Sequence, residues 1–77
     1  MAVHYFHCTN GIDLVIDEEG QETSGSADVS SHARAVAARL MRAVPQYHEW
    51  WNWSVHVYDE VGAVEIFDFP ADRRRAA

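Results

Sequence analysis

The segment that most constrains the fold is residues 3–9 (VHYFHCT), because it is apolar or aromatic on both of its alternating faces. A strand of this kind is expected at the centre of a sheet, where neither face is left to bare water. Asn10-Gly11 follows at once, and this dipeptide favours a type I′ hairpin turn because both residues tolerate positive φ. The chain is therefore predicted to open with a hairpin whose first strand is central.

Hydrophobic periodicity predicts the elements that follow. Residues 12–17 alternate between apolar and polar side chains, which indicates a half-buried second strand, and a flexible polar loop is expected at 21–27. Across residues 29–44, apolar side chains recur at three- and four-residue steps, which predicts an amphipathic helix of about four turns. Pro45 ends this helix, because the residue before a proline disfavours helical geometry.

A second hairpin closes the predicted fold. Residues 53–59 and 63–69 each alternate as strands do, and a glycine-containing turn at 59–62 joins them. The order β-β-α-β-β predicts an α+β fold, a four-stranded antiparallel sheet with one helix packed on one face and strand order 2-1-3-4. Residues 1–70 form a single domain in this interpretation, and residues 71–77 form a disordered basic tail. The predicted core comprises Phe6, Leu14, Ile16, Val36, Leu40, Val44, Trp53, Val55 and Val57.

Composition narrows the class of protein. With 77 residues the chain suits one small domain, and its single cysteine, Cys8, excludes an internal disulfide and favours a reducing compartment. The N-terminus lacks the features of a signal peptide and no apolar run approaches the ~20 residues that cross a bilayer, so a cytoplasmic protein with no membrane partner is expected. Twelve acidic residues stand against six arginines, for a formal net charge of −6, and this balance argues against nucleic acid as a partner.

The sheet face turned away from the helix is the predicted working surface. Placing Phe6 and Cys8 toward the helix leaves aromatic and histidine side chains pointing outward. Such a face normally carries polar residues, so contiguous apolar side chains there indicate an interaction surface. A homodimer or a protein partner is expected to cover it, since self-association adds stability that a chain of this size lacks. The predicted surface comprises Tyr5, His7, His56, Tyr58, Phe67 and Phe69, with Trp50 and Trp51 beside it.

Two alternatives to this surface stay open from the sequence. In the first, Phe67 and Phe69 are covered locally, either by the C-terminal tail or by the Trp50-Trp51 loop, and no partner is needed. In the second, a register slip of one residue exchanges the two faces of a strand, so that the outward set becomes the inward set.

Other functions have weaker support in the residues. His4, His7 and His56 are candidate metal ligands, but their spacing matches no zinc motif, and no cofactor is expected. Aromatic side chains on a four-stranded sheet are also used by single-stranded nucleic-acid modules, although acids rather than cations flank this face. An enzyme is not expected, because Cys8 points inward, where its thiol is shielded and protonated, and the paired acids lie in solvated turns.

The YFH of residues 5–7, the NG of residues 10–11 and the DEEG of residues 17–20 resemble a family of short alphaproteobacterial proteins of unknown function. In that family a Y-F-F-H-type strand leads to a D/N-G turn, a D-E-x-G segment and an alanine-rich helix. The family pattern closes with a V-x-D-E-x-G hairpin, which is similar to residues 57–62 here. The resemblance covers residues 4–69 and implies no catalytic residue, substrate or cofactor. The aromatic-rich connector after the helix departs from the family pattern.

Overall fold

The structure, a computed structural model, describes residues 2–71, and its elements follow the predicted order with one added strand. They are β1 (Ala2–Thr9), β2 (Leu14–Val15), β3 (Gln21–Thr23), α1 (Ser26–Ala43), a 3-10 helix (Trp50–Asn52), β4 (Ser54–Tyr58) and β5 (Ala63–Asp68). The predicted basic tail falls, apart from its first residue, outside the described residues. The α+β class, with an antiparallel sheet and one helix packed on it, is confirmed.

β1 is the central strand, as its two apolar faces predict. β2 and β4 flank it and β5 follows β4, so the order β2-β1-β4-β5 confirms the predicted order. The pairing of β1 with β4 runs from Tyr5 opposite Tyr58 through His7 opposite His56. Because direct partners in antiparallel strands share a face, this register gathers the odd-numbered residues of β1 on one side of the sheet with the even-numbered residues of β4.

α1 covers the other side of the sheet with an alanine-rich stripe, and small side chains let a helix approach the strands closely. The buried core comprises Phe6, Cys8, Val29, Ala33, Ala37, Trp50, Trp53, Val55, Val57 and Phe69. The predicted core is confirmed for its members in and beside β1 and β4, while the helix members Val36, Leu40 and Val44 are half-buried and pack against it. Within residues 2–71, no helix has the length and apolar character to cross a membrane.

The predicted core positions Leu14 and Ile16 are wrong, because each side chain is 57% exposed. β2 contains only two residues, and Leu14 lies opposite Thr9. Direct partners share a face, so Leu14 belongs to the side of the sheet away from α1. The alternation of this segment identifies its two faces, but it does not identify which of them the helix covers.

The β1–β2 loop is longer than the predicted type I′ turn. Thr9 pairs with Leu14, so four residues separate the strands, and Asn10 lacks the positive φ that a type I′ turn requires. The Asn10 side chain instead accepts hydrogen bonds from the N–H groups of Ile12 and Asp13, at 2.9 and 2.7 Å. The loop is thus held by a side-chain acceptor rather than by left-handed backbone at that residue.

β3 is the added strand, and it lies in the segment that the sequence predicts as a flexible loop. It pairs antiparallel with the first residues of β1. Continuing the β2 register would place Glu19 opposite His4, whereas Gln21 occupies that position, so two extra residues lie between the two pairings. β2 and β3 are therefore one edge strand, interrupted by a turn at residues 17–20.

β5 turns its faces the opposite way from the surface prediction. Phe67 lies opposite Val55, which places it on the helix side of the sheet. The pairing is irregular next to Tyr58, where Val64 is left over as a β-bulge. Alternation then places Ile66 on the side away from the helix. This is the one-residue slip that exchanges the two faces of a strand.

Candidate interaction surface

The side of the sheet away from α1, here called the outer face, is poor in charge. Read from the pairing, it comprises Tyr5, His7, Thr9, Leu14, Ser54, His56, Tyr58, Ala63, Ile66 and Asp68. Asp68 is the one carboxylate among these ten positions, and none of the ten is Lys or Arg. The apolar members are open to solvent, with Ile66 60% exposed and Tyr58 37% exposed. Depletion of charge around exposed apolar and aromatic groups is typical of interface centres.

The outer face brings together four of the residues that the sequence predicts for the interaction surface. His7 and His56 are direct cross-strand partners. Tyr5 and Tyr58, two residues further along the strands, are the next pair of direct partners on this face. The rings of His7 and Tyr58 are in contact diagonally, with centroids 5.4 Å apart and planes tilted by 48°. These two rows form the centre of the outer face, between Leu14 at one margin and β5 at the other.

The predicted surface residues Phe67, Phe69 and Trp50 do not lie on the outer face, and that part of the prediction is wrong. Phe69 is 4% exposed and stacks on Trp50, with ring centroids 5.6 Å apart and planes 16° from parallel. Phe67 is half-buried on the helix side, and Trp51 is half-buried in the 3-10 helix. The local covering by the Trp50-Trp51 loop that the sequence left open is thus correct for Phe69.

An aromatic cluster of Tyr47, Trp50, Trp53 and Phe69 takes up these side chains. Trp53 contacts both Trp50 and Phe69, with ring centroids 5.2 and 6.0 Å apart. The Trp53 indole N–H donates to the Tyr47 hydroxyl at 3.1 Å, so its one polar atom is satisfied. The N–H of Phe69 donates to the Trp53 carbonyl, also at 3.1 Å. The cluster anchors the chain after α1 to the end of β5, which is a structural role.

The Asp17 carboxylate takes the place of a main-chain partner where the edge strand is interrupted. Its oxygens accept from the N–H groups of Phe6, Glu19 and Gly20, each at 3.1 Å. Desolvation raises the pKa of Asp17, whereas these three donors and the charge of His7 lower it. The lowering is the larger of the two effects, so the pKa lies below its usual range. The N–H of Asp17 donates to His7 Nδ1 at 3.0 Å, so a neutral His7 carries its proton on Nε2.

A second turn of the same kind joins β4 to β5. Asp59 accepts from the N–H groups of Val61 and Gly62 at 2.8 and 3.0 Å. These bonds, of which the one from Gly62 has the larger effect, hold the pKa of the Asp59 carboxyl below its usual range. Both Asp-x-x-Gly segments are therefore turn-forming, and their aspartates are engaged with backbone rather than arranged as an acid–base pair.

The edge segment, residues 12–16 (IDLVI), is the surface that the sequence prediction misses. Ile12 is 90% exposed and Val15 is 45% exposed, and Leu14 and Ile16 are each more than half exposed. Four of the eight exposed large hydrophobic residues within residues 2–71 fall in these five positions. The signal in the sequence is a segment that carries four large apolar residues and one acid, which a free sheet edge normally avoids.

A cavity of about 350 Å³ lies on the helix side of the sheet, between α1 and the edge strand. Its apolar lining includes Phe6, Cys8, Val15, Val36 and Leu40, and its polar lining includes Asp17, Glu19, His32 and Arg39. Burial raises the pKa of the Cys8 thiol to about 11, and the Asp17 charge acts in the same direction. The thiol is therefore protonated and unreactive. Mixed charges around an apolar floor favour no single class of ligand.

The candidate metal ligands lie on two different sides of the sheet. His4 is on the helix side, where its Nδ1 lies 2.7 Å from the Thr23 hydroxyl. His7 and His56 are paired on the outer face, but two imidazoles are fewer than the three or four protein ligands of a zinc site. Over the described part of the chain, no group of three or more His, Cys, Asp or Glu side chains is arranged to hold a metal ion.

Comparison with known proteins matches the chain to a family. A family model described as Domain of unknown function (DUF6894) matches residues 3–69. No curated protein and no solved structure matches the chain. The matched span includes the residues of the outer face, the edge segment and the aromatic cluster.

Proposed function

This chain belongs to the family described as Domain of unknown function (DUF6894), and we propose that it is a small, non-enzymatic homodimerisation module. The dimer forms through the side of the sheet that the helix leaves open, meaning the outer face and its margin, the edge segment. The proposal includes a cytoplasmic location, which a single free cysteine favours. We extend the proposal to the short alphaproteobacterial proteins with a D-E-x-G segment and an alanine-rich helix that this chain resembles.

The observation that carries the proposal is the one-sided covering of the sheet. α1 packs on one side, and the buried core lies between the helix and that side. Leu14 and Ile66 stand on the other side, 57% and 60% exposed, with no second layer over them among the described residues. Exposed apolar and aromatic side chains that share one uncovered face of a sheet mark a candidate protein interaction site.

The chemistry of the outer face supports a protein partner over nucleic acid. Its centre consists of tyrosine and histidine side chains, and tyrosine is enriched in protein interfaces. A single-strand binding surface pairs its aromatic groups with Lys and Arg that neutralise phosphates, and none of the ten outer-face positions is Lys or Arg. The centre of the face carries no carboxylate, Lys or Arg, so two copies of it meet without repulsion between such charges there.

The small size of the domain favours self-association over a monomeric state. A chain of about this length buries roughly 60% of its unfolded surface, which leaves little margin of stability. Oligomerisation is one of the usual ways in which such small domains gain stability. A two-fold dimer also needs no partner gene and uses one surface patch twice.

Sedimentation equilibrium over a range of concentrations tests the proposal. We expect the 8.7 kDa chain to behave as a concentration-dependent dimer of twice that mass. Leu14→Glu should shift it to monomer, because a charge is then placed in the interface while the exposed position contributes little to the monomer core. Ala35→Glu adds the same charge on the exposed side of α1 and should leave the dimer intact. A wild-type chain that stays at 8.7 kDa at every concentration contradicts the proposal.

A further inference from the structure

We infer that the dimer is built by antiparallel pairing of the edge segments (residues 12–16) of two copies, about a two-fold axis at Leu14. This inference rests on the proposed homodimer and specifies how it is made. Two sheets can associate by stacking their faces or by joining their edges, and the outer face alone does not decide between these. The decision comes from the edges of the sheet.

The two free edges of the sheet differ in their protection. β5 forms one edge and carries the bulge at Val64 together with exposed Glu65 and Asp68, and bulges and charges are the devices that prevent edge pairing. The edge segment forms the other edge. It carries four exposed large apolar side chains and a single acid, Asp13, and its two pairs with β1, Val15 with Cys8 and Leu14 with Thr9, follow each other in regular register. The unprotected edge is the one suited to pairing.

The backbone of the edge segment is oriented for such pairing. Polar groups of the odd-numbered residues turn inward: the Asp13 carbonyl accepts from the Asn10 N–H at 3.3 Å, and the Asp17 N–H donates to His7 at 3.0 Å. Successive residues of a strand direct their backbone groups to alternate sides, so those of Leu14 and Ile16 point away from β1. These outward groups are free to form a ladder with a second strand.

Charge selects one register among those that two-fold symmetry allows. Symmetric pairing keeps each side chain on its own face, so the axis passes through a residue, and the candidates are residues 13, 14 and 15. An axis at Asp13 places two aspartates directly opposite each other. An axis at Val15 places Asp13 opposite Asp17 of the second copy, twice. Like charges in direct opposition are destabilising, so the axis at Leu14 remains.

The register centred on Leu14 is self-complementary. Leu14 lies opposite Leu14 of the second copy, and Ile12 lies opposite Ile16 of the second copy, so apolar side chains meet apolar side chains. Asp13 lies opposite Val15 of the second copy, where it meets no charge. The protected β5 edge stays outside the contact, so association closes at two copies instead of continuing into a fibre.

Disulfide trapping tests this geometry. Direct partners in such a ladder have Cα atoms about 5.5 Å apart, within the range that a disulfide spans. We expect Leu14→Cys to form a covalent dimer rapidly under mild oxidation. Ile66→Cys is the matched control, since it has similar exposure on the same face but lies at the far edge of the sheet. The native Cys8 does not interfere, because it is 1% exposed.

A charge substitution at Val15 tests the register itself. With the axis at Leu14, Val15→Lys faces Asp13 of the second copy, so the dimer dissociation constant should stay the same or fall by a few-fold. Val15→Glu faces the same aspartate and should raise that constant about tenfold or more. With the axis at Val15, either substitution would place like charges together and weaken the dimer equally.

The outcomes of these experiments distinguish the edge-paired geometry from the homodimer itself. Trapping at Leu14→Cys, with Val15→Lys tighter than Val15→Glu, supports the edge-paired dimer. A wild-type dimer that is trapped only through Ile66→Cys, or through neither cysteine, overturns the edge pairing and leaves the homodimer standing. Equal weakening by both Val15 substitutions overturns the register. A wild-type monomer overturns the inference and the proposed function together. Circular dichroism of each variant confirms that it is folded.

Discussion

At the scale of single residues, the turn at 17–20 depends on Asp17 and Gly20 for different physical reasons. Asp17 supplies acceptors for three N–H groups at the break in the edge strand. Gly20 has φ of +79°, which L-residues with side chains rarely adopt. A Cβ at this position would also lie 2.7 Å from Val3 Cγ1 and 2.9 Å from Tyr5 Cε2. Glycine is therefore required at this position both by its backbone conformation and by the lack of space for a Cβ.

Substitution of three glycines separates these two requirements. We expect Gly20→Ala to lower the free energy of unfolding by more than about 2 kcal/mol, because it adds both backbone strain and a steric clash. Gly11→Ala should cost only about 1 kcal/mol, since φ there is +94° but a Cβ would meet nothing within 4 Å. Gly25→Ala, with extended backbone and open space, should be close to neutral. Urea denaturation measures all three, and equal losses at Gly20 and Gly11 would contradict the clash.

Asp17 makes the stability of the domain depend on pH. Its folded pKa lies below the unfolded value of about 4, so its contribution is complete above that value and is lost as the pH falls through the folded pKa. We expect Asp17→Ala to cost about 2 kcal/mol at neutral pH, since the Phe6 N–H loses its acceptor. Asp17→Asn should flatten the stability profile below pH ~4. Glu18→Gln is the matched control, since it removes a charge from the same turn but no acceptor of these N–H groups; an equal effect of both substitutions would refute the assignment.

At the scale of elements, the sequence predicts the strands and the helix but not all of their faces. Periodicity identifies two faces in each strand, and the apolar character of β1 correctly makes it central. The face of β5 is decided by the bulge at Val64, and the face of Leu14 by a loop that Asn10 holds at four residues. The orientation of β5 and of Leu14 therefore depends on hydrogen bonds and strand pairing, which the alternation of apolar and polar residues does not predict. Tyr5, His7, His56 and Tyr58 are placed correctly because the pairing of β1 with β4 is regular over all of these residues.

Side-chain truncation should cost more stability in the aromatic cluster than on the outer face. Phe69→Ala removes a buried ring that stacks on Trp50, so we expect a loss of about 3 kcal/mol in the free energy of unfolding. Ile66→Ala, on the exposed face of β5 three residues before Phe69, should cost less than about 1 kcal/mol in the monomer. Thermal or chemical denaturation at low protein concentration compares them. Similar losses would contradict the assignment of Phe69 to the core and of Ile66 to the outer face.

At the scale of the whole molecule, net charge opposes association while the edge segment drives it. Each chain carries a formal charge of −6, so two copies repel each other at long range. Raising the salt concentration from about 20 to about 200 mM screens this repulsion, and we expect the dimer to tighten. Sedimentation equilibrium at the two salt concentrations measures the change. A dimer that weakens with salt would instead indicate contacts between opposite charges, such as helix arginines and acidic turns.

Hydrogen exchange measured as a function of protein concentration tests whether the edge segments pair in the dimer. We expect the amides of Leu14 and Ile16 to exchange more slowly as the concentration rises through the dimer transition, because they become paired with a second copy. The amides of β5 should exchange at rates that do not depend on concentration. Exchange at Leu14 and Ile16 that stays fast and independent of concentration, in a sample shown to be dimeric, would contradict pairing of the edge segments.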